Sequence, residues 1–229
     1  MKGRDIETGR SKGKGKIIME ILTEKPEKLE ALKRAVVETA KKAYREKLIA
    51  GTSGNMSVYW PEKGWMVITP SSYDYEIMKE KDIVVTDLQG QVVEGCHKPS
   101  SEWRMHAEIY KHLSYVGAVV HTHSPYATSF AVNHQEIPVV LIEMIPFLKG
   151  KLEVSPYAQQ GSAQVGLNAV PILERKNACL MANHGVVAVG ESIEAAYINS
   201  VYVEDTARIY HMALQSGKPV VIPGYEELQ

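Results

Sequence analysis

The chain has 229 residues, of which 45% are apolar and 23% charged, and its formal net charge is −1 at pH 7. This composition is typical of a globular domain and argues against a protein whose main task is to coat nucleic acid. No run reaches the roughly 18 apolar residues of a transmembrane helix, and the polar residues 1–16 lack the apolar core of a secretory signal. Cys96 and Cys179 lie too far apart for a thiolate zinc knuckle. We therefore expect a soluble cytoplasmic protein with no nucleic-acid or membrane partner.

The N-terminal part of the chain predicts an arm followed by a helix. Residues 1–16 are rich in Lys, Arg and Gly and predict a basic flexible arm, ahead of a single domain over residues 17–229. Residues 27–48 predict an amphipathic helix, with Pro26 at its start and Gly51 beyond its end. Its apolar residues recur at helical spacing: Leu29, Leu32, Val36, Ala40 and Ala43.

Several short strands are predicted next. Residues 56–60 and 65–69 are apolar runs between turn-rich segments. Residues 82–87 and 91–94 flank the turn Leu88-Gln89-Gly90 and predict a hairpin. Because these strands follow one another so closely, they predict an antiparallel sheet.

Three helices are predicted in the remainder of the chain. Ser100 or Ser101 is expected to cap the first of them. The second covers residues 163–176, where Pro171 predicts a break or kink. Ser192 is expected to cap the last helix, a long one.

Buried strands are predicted between these helices, over residues 116–123, 139–143, 178–183 and 186–189. The sequence contains no internal repeat and no low-complexity linker. Taken together, the pattern predicts one α/β domain of the α+β type, in which helices flank a mainly antiparallel central sheet.

Three histidines stand where predicted strands end. Residues i and i+2 of a strand lie on one face, so His121 and His123 present their imidazoles side by side. His184 interrupts an otherwise apolar run at a turn. Zinc and similar divalent metals prefer imidazole nitrogen ligands. Two interpretations are open for these residues: a metal site, or polar residues at strand ends together with a hydrogen-bonded core histidine.

Glu102 and His106 lie on one face of the helix that follows Ser100. A carboxylate in the first turn of a helix is favoured by the helix dipole alone, so Glu102 needs no functional explanation by itself. His106 is a possible metal ligand, but its position fits a residue behind the ligands or in the core better.

Hydroxyl-rich turns form the last set of candidate residues. They are Thr52-Ser53-Gly54-Asn55, Ser71-Ser72 and Ser100-Ser101. Backbone N–H groups in such turns bind anions, although ordinary turns and caps have the same composition. The sequence has no Walker A loop and no dinucleotide-binding fingerprint, which argues against a nucleotide site.

In this order, these elements resemble the class II aldolase/adducin superfamily, and within it the L-fuculose-1-phosphate aldolase branch. The resemblance extends over residues 29–216. Five segments carry it: residues 51–57, 68–71, 98–106, 121–123 and 183–185. The family fold is a mainly antiparallel sheet flanked by helices, which agrees with the pattern above.

The resemblance implies a zinc-dependent lyase that cleaves a ketose 1-phosphate, such as L-fuculose 1-phosphate, to dihydroxyacetone phosphate and a small aldehyde through an enediolate. It implies Zn²⁺, or another divalent metal ion, on His121, His123 and His184. It also implies Glu102 as the fourth ligand at rest and the catalytic base. The implied phosphate-binding residues are Asn55, Ser71, Ser72, Ser100 and Ser101. The implied assembly is a homotetramer with active sites between subunits.

The sequence departs from the fuculose branch at a few positions. Ser72 stands where the family commonly has Gly, no Tyr follows Ile137-Pro138, and Tyr225 is a loose counterpart of a Tyr in the family's C-terminal tail. L-ribulose-5-phosphate 4-epimerase, recognised by Asp in place of Glu102, and methylthioribulose-1-phosphate dehydratase are alternatives on the same metal site. An adducin-like binding module is the non-enzyme alternative, and such modules lack the zinc histidines.

Overall fold

A computed structural model describes residues 12–225 and Leu228, with side chains from Pro26 onward. The helices are α1 (Lys12–Arg45), α2 (Trp103–His112), α3 (Pro125–Val132), α4 (Ala163–Leu173) and α5 (Ile193–Ser216). The strands are β1 (Asn55–Trp60), β2 (Trp65–Ile68), β3 (Val84–Asp87), β4 (Val92–Glu94), β5 (Ala118–Thr122), β6 (Val154–Ser155), β7 (Ala178–Met181) and β8 (Gly185–Gly190). Two short turns of helix complete the list, a 3-10 turn at Glu80–Asp82 and a π-helical turn at Met144–Leu148.

The strands form one sheet in the order β4-β3-β2-β1-β5-β8-β7-β6. All neighbouring pairs are antiparallel except β6 and β7. The predicted fold class, a mainly antiparallel sheet flanked by helices, is therefore confirmed. Among the described residues, no helix has both the length and the apolarity needed to cross a bilayer.

Helices cover both faces of the sheet, which is why its central strands are apolar on both sides. Val120 of β5 belongs to a buried cluster with α1 and the start of α5, whereas its neighbour Val119 belongs to a cluster with α2 and α4. All five residues of β5 are buried. Burying a Val side chain contributes about 1.5–3 kcal/mol to stability, so this strand is firmly held between the two layers.

Strand register brings four chain segments to one edge of the sheet. Asn55, at the start of β1, pairs with His121 near the end of β5. On the other side of β5, Thr122 pairs with Val186 at the start of β8. The turn that joins β7 to β8 and the loop that follows β2 reach the same edge, because those strands end there.

The N-terminal prediction differs from the structure. Helix α1 begins at Lys12 and contains Pro26 within it, so Pro26 does not open the helix as predicted. Residues 1–11 of the predicted basic arm lie outside the described residues. The last five residues of that arm, 12–16, belong to α1.

The strand predicted over residues 139–143 is wrong. This segment forms turns that lead into the π-helical turn, and Ile137 makes an isolated bridge to Leu152. Val139 is nevertheless buried in a third cluster with α3 and α5, Val140 and Leu141 are partly buried against it, and Ile142 is exposed. An apolar run can be buried without strand pairing when turns satisfy its backbone, as where the Met144 N–H donates to the Leu141 carbonyl at 3.1 Å.

Two further predictions about helix ends need correction. Neither Ser100 nor Ser101 caps α2, because Glu102 occupies the N-cap position. Of the break or kink predicted at Pro171, the break is wrong, since α4 continues to Leu173. This proline lies in the last turn, where it removes only one hydrogen bond. The cap predicted for α5 is confirmed: the Ser192 hydroxyl accepts a hydrogen bond from the Ala195 N–H.

Candidate metal centre and adjoining anion cavity

The three histidines converge at the sheet edge. His121 lies within β5, and His123 lies one residue beyond its end on the same face. His184 lies in the turn between β7 and β8, where Asn183 adopts a left-handed conformation with φ of 54°, one that Asn tolerates better than most residues. The next residue is Gly185, and no larger residue fits there, because a Cβ would lie 2.5 Å from the Thr122 carbonyl oxygen.

Glu102 completes a compact set of four donor groups with these histidines. Its Oε2 lies 3.0 Å from His121 Nε2, and its Oε1 lies 3.0 Å from His184 Nε2. His123 Nε2 lies 3.0 Å from His121 Nε2. All four ligand atoms lie within 4.8 Å of one another. Ligands at 2.0–2.1 Å around a tetrahedral zinc ion are separated by about 3.3 Å, so the donor set fits a zinc-sized divalent cation.

Hydrogen bonding prepares these donors for a cation. The Val186 carbonyl accepts a hydrogen bond from His121 Nδ1 at 2.7 Å, which leaves the Nε2 lone pair directed at the cluster. Glu102 Oε1 and His184 Nε2 are buried without a hydrogen-bond partner among the described residues. Orphaned buried donors and acceptors are rare, and a bound cation would satisfy these two atoms.

The electrostatics of the cluster suit a cation as well. Burial disfavours the charge of Glu102, but His121 and His184 outweigh burial and hold the pKa of Glu102 well below its usual value. Burial and the neighbouring imidazoles lower the pKa of His123 to about 4. At His121 burial is outweighed by Glu102, which raises the pKa of that imidazole. A metal ion would therefore compete with a proton at His121.

A polar cavity of about 160 Å³ adjoins Glu102 and His123. It brings together every residue for which the sequence predicts phosphate binding: Asn55, Ser71, Ser72, Ser100 and Ser101. Thr52, Ser53, Gly54, Pro70 and Gln160 also line it. No Lys or Arg is among the lining residues that the structure describes, and Lys98 is exposed to solvent outside the cavity.

Hydrogen bonds between loops give this cavity its shape. The Ser71 N–H donates to the Lys98 carbonyl at 2.9 Å, and the Ser100 N–H donates to the Thr69 carbonyl at 3.0 Å. Ser72 has a φ of 53°, in the left-handed region. That conformation costs most residues about 1–2 kcal/mol but not Gly, which gives a physical reason for the Gly that the family commonly has at this position.

Of two residues near Glu102, Asn55 makes a contact that the sequence did not predict, whereas His106 lies behind the donors, as the sequence analysis favoured. The side-chain amide of Asn55 donates to Glu102 Oε2 at 2.9 Å, so this residue contacts the carboxylate as well as lining the cavity. His106 lies behind Asn55, outside the group of four donors. Burial lowers the pKa of His106 to about 3 and keeps the ring neutral.

Gln160 is a cavity residue that the sequence analysis missed. It lies in the loop before α4, where no periodicity or motif distinguishes it from its neighbours. Gln160 reaches the site because that loop passes over the cavity. A local sequence pattern does not predict the path of a loop.

Comparison with known proteins agrees with this arrangement. The family model for the class II aldolase and adducin N-terminal domain matches residues 34–211. The chain is 35% identical over 195 residues to 5-deoxy-D-ribulose 1-phosphate aldolase of Bacillus thuringiensis serovar kurstaki, covering 85% of this chain and 91% of that protein. It is also 35% identical over 196 residues to 5-methylthioribulose-1-phosphate/5-deoxyribulose-1-phosphate aldolase of Rhodospirillum rubrum, covering 86% of this chain and 87% of that one.

A solved structure supports the same grouping. L-fuculose 1-phosphate aldolase superposes with a TM-score of 0.81 at 38% identity, covering 86% of this chain and 92% of the other. The segment matched by the family model contains Glu102 and all three converging histidines. The chain therefore belongs to the class II aldolase and adducin N-terminal domain family, and within it is an enzyme of the aldolase, or lyase, type.

Proposed function

We propose that the domain over residues 17–229 cleaves a ketose 1-phosphate to dihydroxyacetone phosphate and a small aldehyde, with a divalent metal ion as cofactor. The observation that carries the proposal is the contact between two features, the four-donor cluster and the hydroxyl-lined cavity, which share Glu102 and His123. A phosphate held in the cavity would place the reacting carbons of the sugar beside the carboxylate. Such placement uses binding energy from a remote group to orient the reaction.

His121, His123 and His184 would hold the metal ion, for which zinc is the first choice, with Glu102 as the fourth ligand. Because the three imidazoles are neutral, they would not reduce the positive charge of the cation, and only the Glu102 carboxylate would offset part of it. When bound, the ion supplies that charge to the oxyanion of the enediolate left by carbon–carbon cleavage.

Glu102 would move the proton at the reacting carbon. In the cleavage direction the 4-hydroxyl loses a proton as the C3–C4 bond breaks, and the enediolate carbon C3 gains one, so the proton released balances the proton taken up. In the reverse direction C3 gives its proton to the ionised carboxylate. A carboxylate within reach of that carbon can serve both steps. Glu102 is suited to this role because it is buried, is held by Asn55 and lines the cavity.

Neutral donors would hold the phosphate. The hydroxyls of Ser71, Ser72, Ser100 and Ser101 line the cavity, and no Lys or Arg of the described chain joins them. Each hydrogen bond to a charged group contributes about 1.5–3 kcal/mol. A few such bonds account for selective binding of a phosphorylated sugar.

For the sugar itself we propose 5-deoxyribulose 1-phosphate or 5-methylthioribulose 1-phosphate first and L-fuculose 1-phosphate second. The first choice rests on the names of the two relatives at 35% identity, and the second on the solved structure at 38% identity. Glu102, in place of the Asp that marks the related epimerases, favours cleavage over epimerisation.

A coupled assay for dihydroxyacetone phosphate tests this function directly. Metal-replete protein is incubated with fuculose, ribulose, 5-deoxyribulose and methylthioribulose 1-phosphates. We expect dihydroxyacetone phosphate from at least one of them and none after chelation. Epimerised or dehydrated products without cleavage would contradict the proposal.

We also propose that the enzyme acts in the cytoplasm as a homotetramer, as the family resemblance implies. Sedimentation velocity should then give a particle of four times the chain mass of 25.5 kDa. A monomer at micromolar concentration would contradict this part of the proposal without affecting the chemistry assigned to Glu102.

A further inference from the structure

A chain of buried polar side chains runs away from the Glu102 carboxylate between α2 and β1. Asn55 Nδ2 lies 2.9 Å from Glu102 Oε2, and Asn55 Oδ1 lies 2.5 Å from His106 Nε2. The chain continues from His106 Nδ1 to Ser57 Oγ at 2.7 Å, and from Ser57 Oγ to the Tyr110 hydroxyl at 2.7 Å. All five residues are buried.

This series of hydrogen bonds forms because one face of α2 packs against one face of β1. Glu102, His106 and Tyr110 recur at intervals of four along α2 and its N-cap. Asn55 and Ser57 recur at an interval of two along β1. The two sets alternate across the contact, so each strand residue bridges two helix residues.

The direction of every hydrogen bond in this chain follows from the carboxylate at its end. An ionised carboxylate only accepts, so the Asn55 amide nitrogen donates to Glu102 and the Asn55 oxygen must accept. His106 Nε2 therefore carries the hydrogen. A neutral imidazole has one N–H, so His106 Nδ1 accepts from the Ser57 hydroxyl. Tyr110 then donates to Ser57, whose backbone carbonyl also lies 3.0 Å from the Tyr110 hydroxyl.

We propose that His106, acting through Asn55, is a positioning residue that fixes the orientation of the Glu102 carboxylate through Oε2. Oε2 accepts from Asn55 at 2.9 Å, whereas Oε1 lies on the other side of the carboxylate, 3.0 Å from His184 Nε2. The inference rests on the proposed function, since it concerns the base of that reaction.

Two substitutions of similar size separate positioning from simple core packing. The amide of Gln can replace His106 Nε2 and keep a donor toward Asn55. The amide of Asn, one methylene shorter, replaces Nδ1 and keeps only the contact with Ser57. We expect His106→Gln to retain kcat within about threefold, and His106→Asn to lose at least tenfold in kcat, a loss of about 1.4 kcal/mol. KM and metal content should stay within twofold in both variants.

Asn199→Ala is the matched control for loss of a buried polar contact. Asn199 is buried and donates to the Val189 carbonyl at 2.9 Å, with no link to Glu102. This variant should unfold at a lower temperature with unchanged kcat. Equal kcat values in folded His106→Gln and His106→Asn would overturn the proposal.

A measurement on the unaltered protein removes any dependence on how the variants fold. Nitrogen-15 NMR of the labelled imidazoles at pH 7 should show His106 as the neutral Nε2–H tautomer. An Nδ1–H tautomer would overturn the proposal whether or not the enzyme is active, because Asn55 Oδ1 would then have no donor. Absence of cleavage by protein with the Nε2–H tautomer would instead contradict only the proposed function.

Discussion

The four-donor cluster and the hydroxyl-lined cavity lie side by side but are built differently. The imidazoles of the cluster come from a strand end and a tight turn between strands, and their positions follow from the registers of β5, β7 and β8. The cavity is assembled from loops, which a few backbone hydrogen bonds hold together, such as that from the Ser71 N–H to the Lys98 carbonyl.

This difference predicts two kinds of response to substitution. In the cluster each donor is a unique atom directed at one centre, so the loss of one ligand should abolish function. In the cavity several neutral donors would share the proposed phosphate, so the loss of one should weaken binding by a graded amount. The substitutions below test this contrast, beginning with the largest expected effect.

His184→Ala should produce the largest loss. Two imidazoles and a carboxylate remain, so we expect bound metal to fall well below one ion per chain. Activity should fall at least about 10³-fold, since several kcal/mol of charge stabilisation are lost. Elemental analysis and the coupled assay measure both effects. His211→Ala is the control, because the His211 ring lies in α5 and contacts Gln215. This variant should keep both its metal content and its activity. Full metal occupancy in His184→Ala would contradict the ligand assignment.

Glu102→Gln should lower kcat by about 10²–10⁴-fold, the usual effect of removing a general base. The amide is nearly isosteric with the carboxylate but cannot take the proton. KM for the ketose 1-phosphate should change little, because the hydroxyls of the cavity remain. Steady-state kinetics with added metal separates the two parameters. A kcat near that of the unaltered enzyme would assign the base to another residue.

Ser71→Ala should have a smaller, selective effect. One hydroxyl donor to the phosphate is lost, and we expect KM to rise roughly tenfold, as the loss of about 1.5 kcal/mol of a charged hydrogen bond implies. Lys98→Ala is the control, since its side chain is exposed and outside the cavity. A large rise in KM for Lys98→Ala together with an unchanged KM for Ser71→Ala would show that the phosphate binds elsewhere.

The last prediction concerns the pH dependence of stability and leaves activity aside. Burial lowers the pKa of His106 to about 3 from its ordinary value of 6.5. Between pH 6.5 and 3, His106 is protonated in the unfolded chain but stays neutral in the folded protein. The free energy of unfolding therefore falls as the pH drops through this range. His106 contributes at most about 1.4 kcal/mol per pH unit to this slope.

His106→Gln removes that titration. Urea unfolding at a series of pH values within this window should give a shallower decline for the variant than for the unaltered protein. Parallel declines would contradict the neutral, buried state of His106.

Much of the sheet could be predicted because local pattern and tertiary structure agree there. The strands near residues 56–60 and 65–69 and the hairpin at 82–94 appear close to their predicted bounds. The juxtaposition of His121 and His123 follows from strand alternation alone. The convergence of Glu102 and His184 with them was implied by the family resemblance, and periodicity or spacing carries no information about it.

The mistakes occur where one local pattern is compatible with more than one structure. Residues 139–143 look like a strand because they are apolar, yet they form turns in which Val139 is buried against α3 and α5 and Ile142 is exposed. Pro26 looks like a helix start, yet α1 continues through it. The double contact of Asn55 and the approach of Gln160 depend on how separate elements pack, so no motif predicts them.

Anomalous X-ray diffraction from crystals of the purified, metal-loaded protein tests the metal assignment most directly. It should show one peak per chain among the Nε2 atoms of His121, His123 and His184, at about 2.0–2.1 Å from each if the ion is zinc. A fully occupied peak elsewhere, or no peak at this sheet edge, would contradict the assignment of the cluster as the catalytic metal centre.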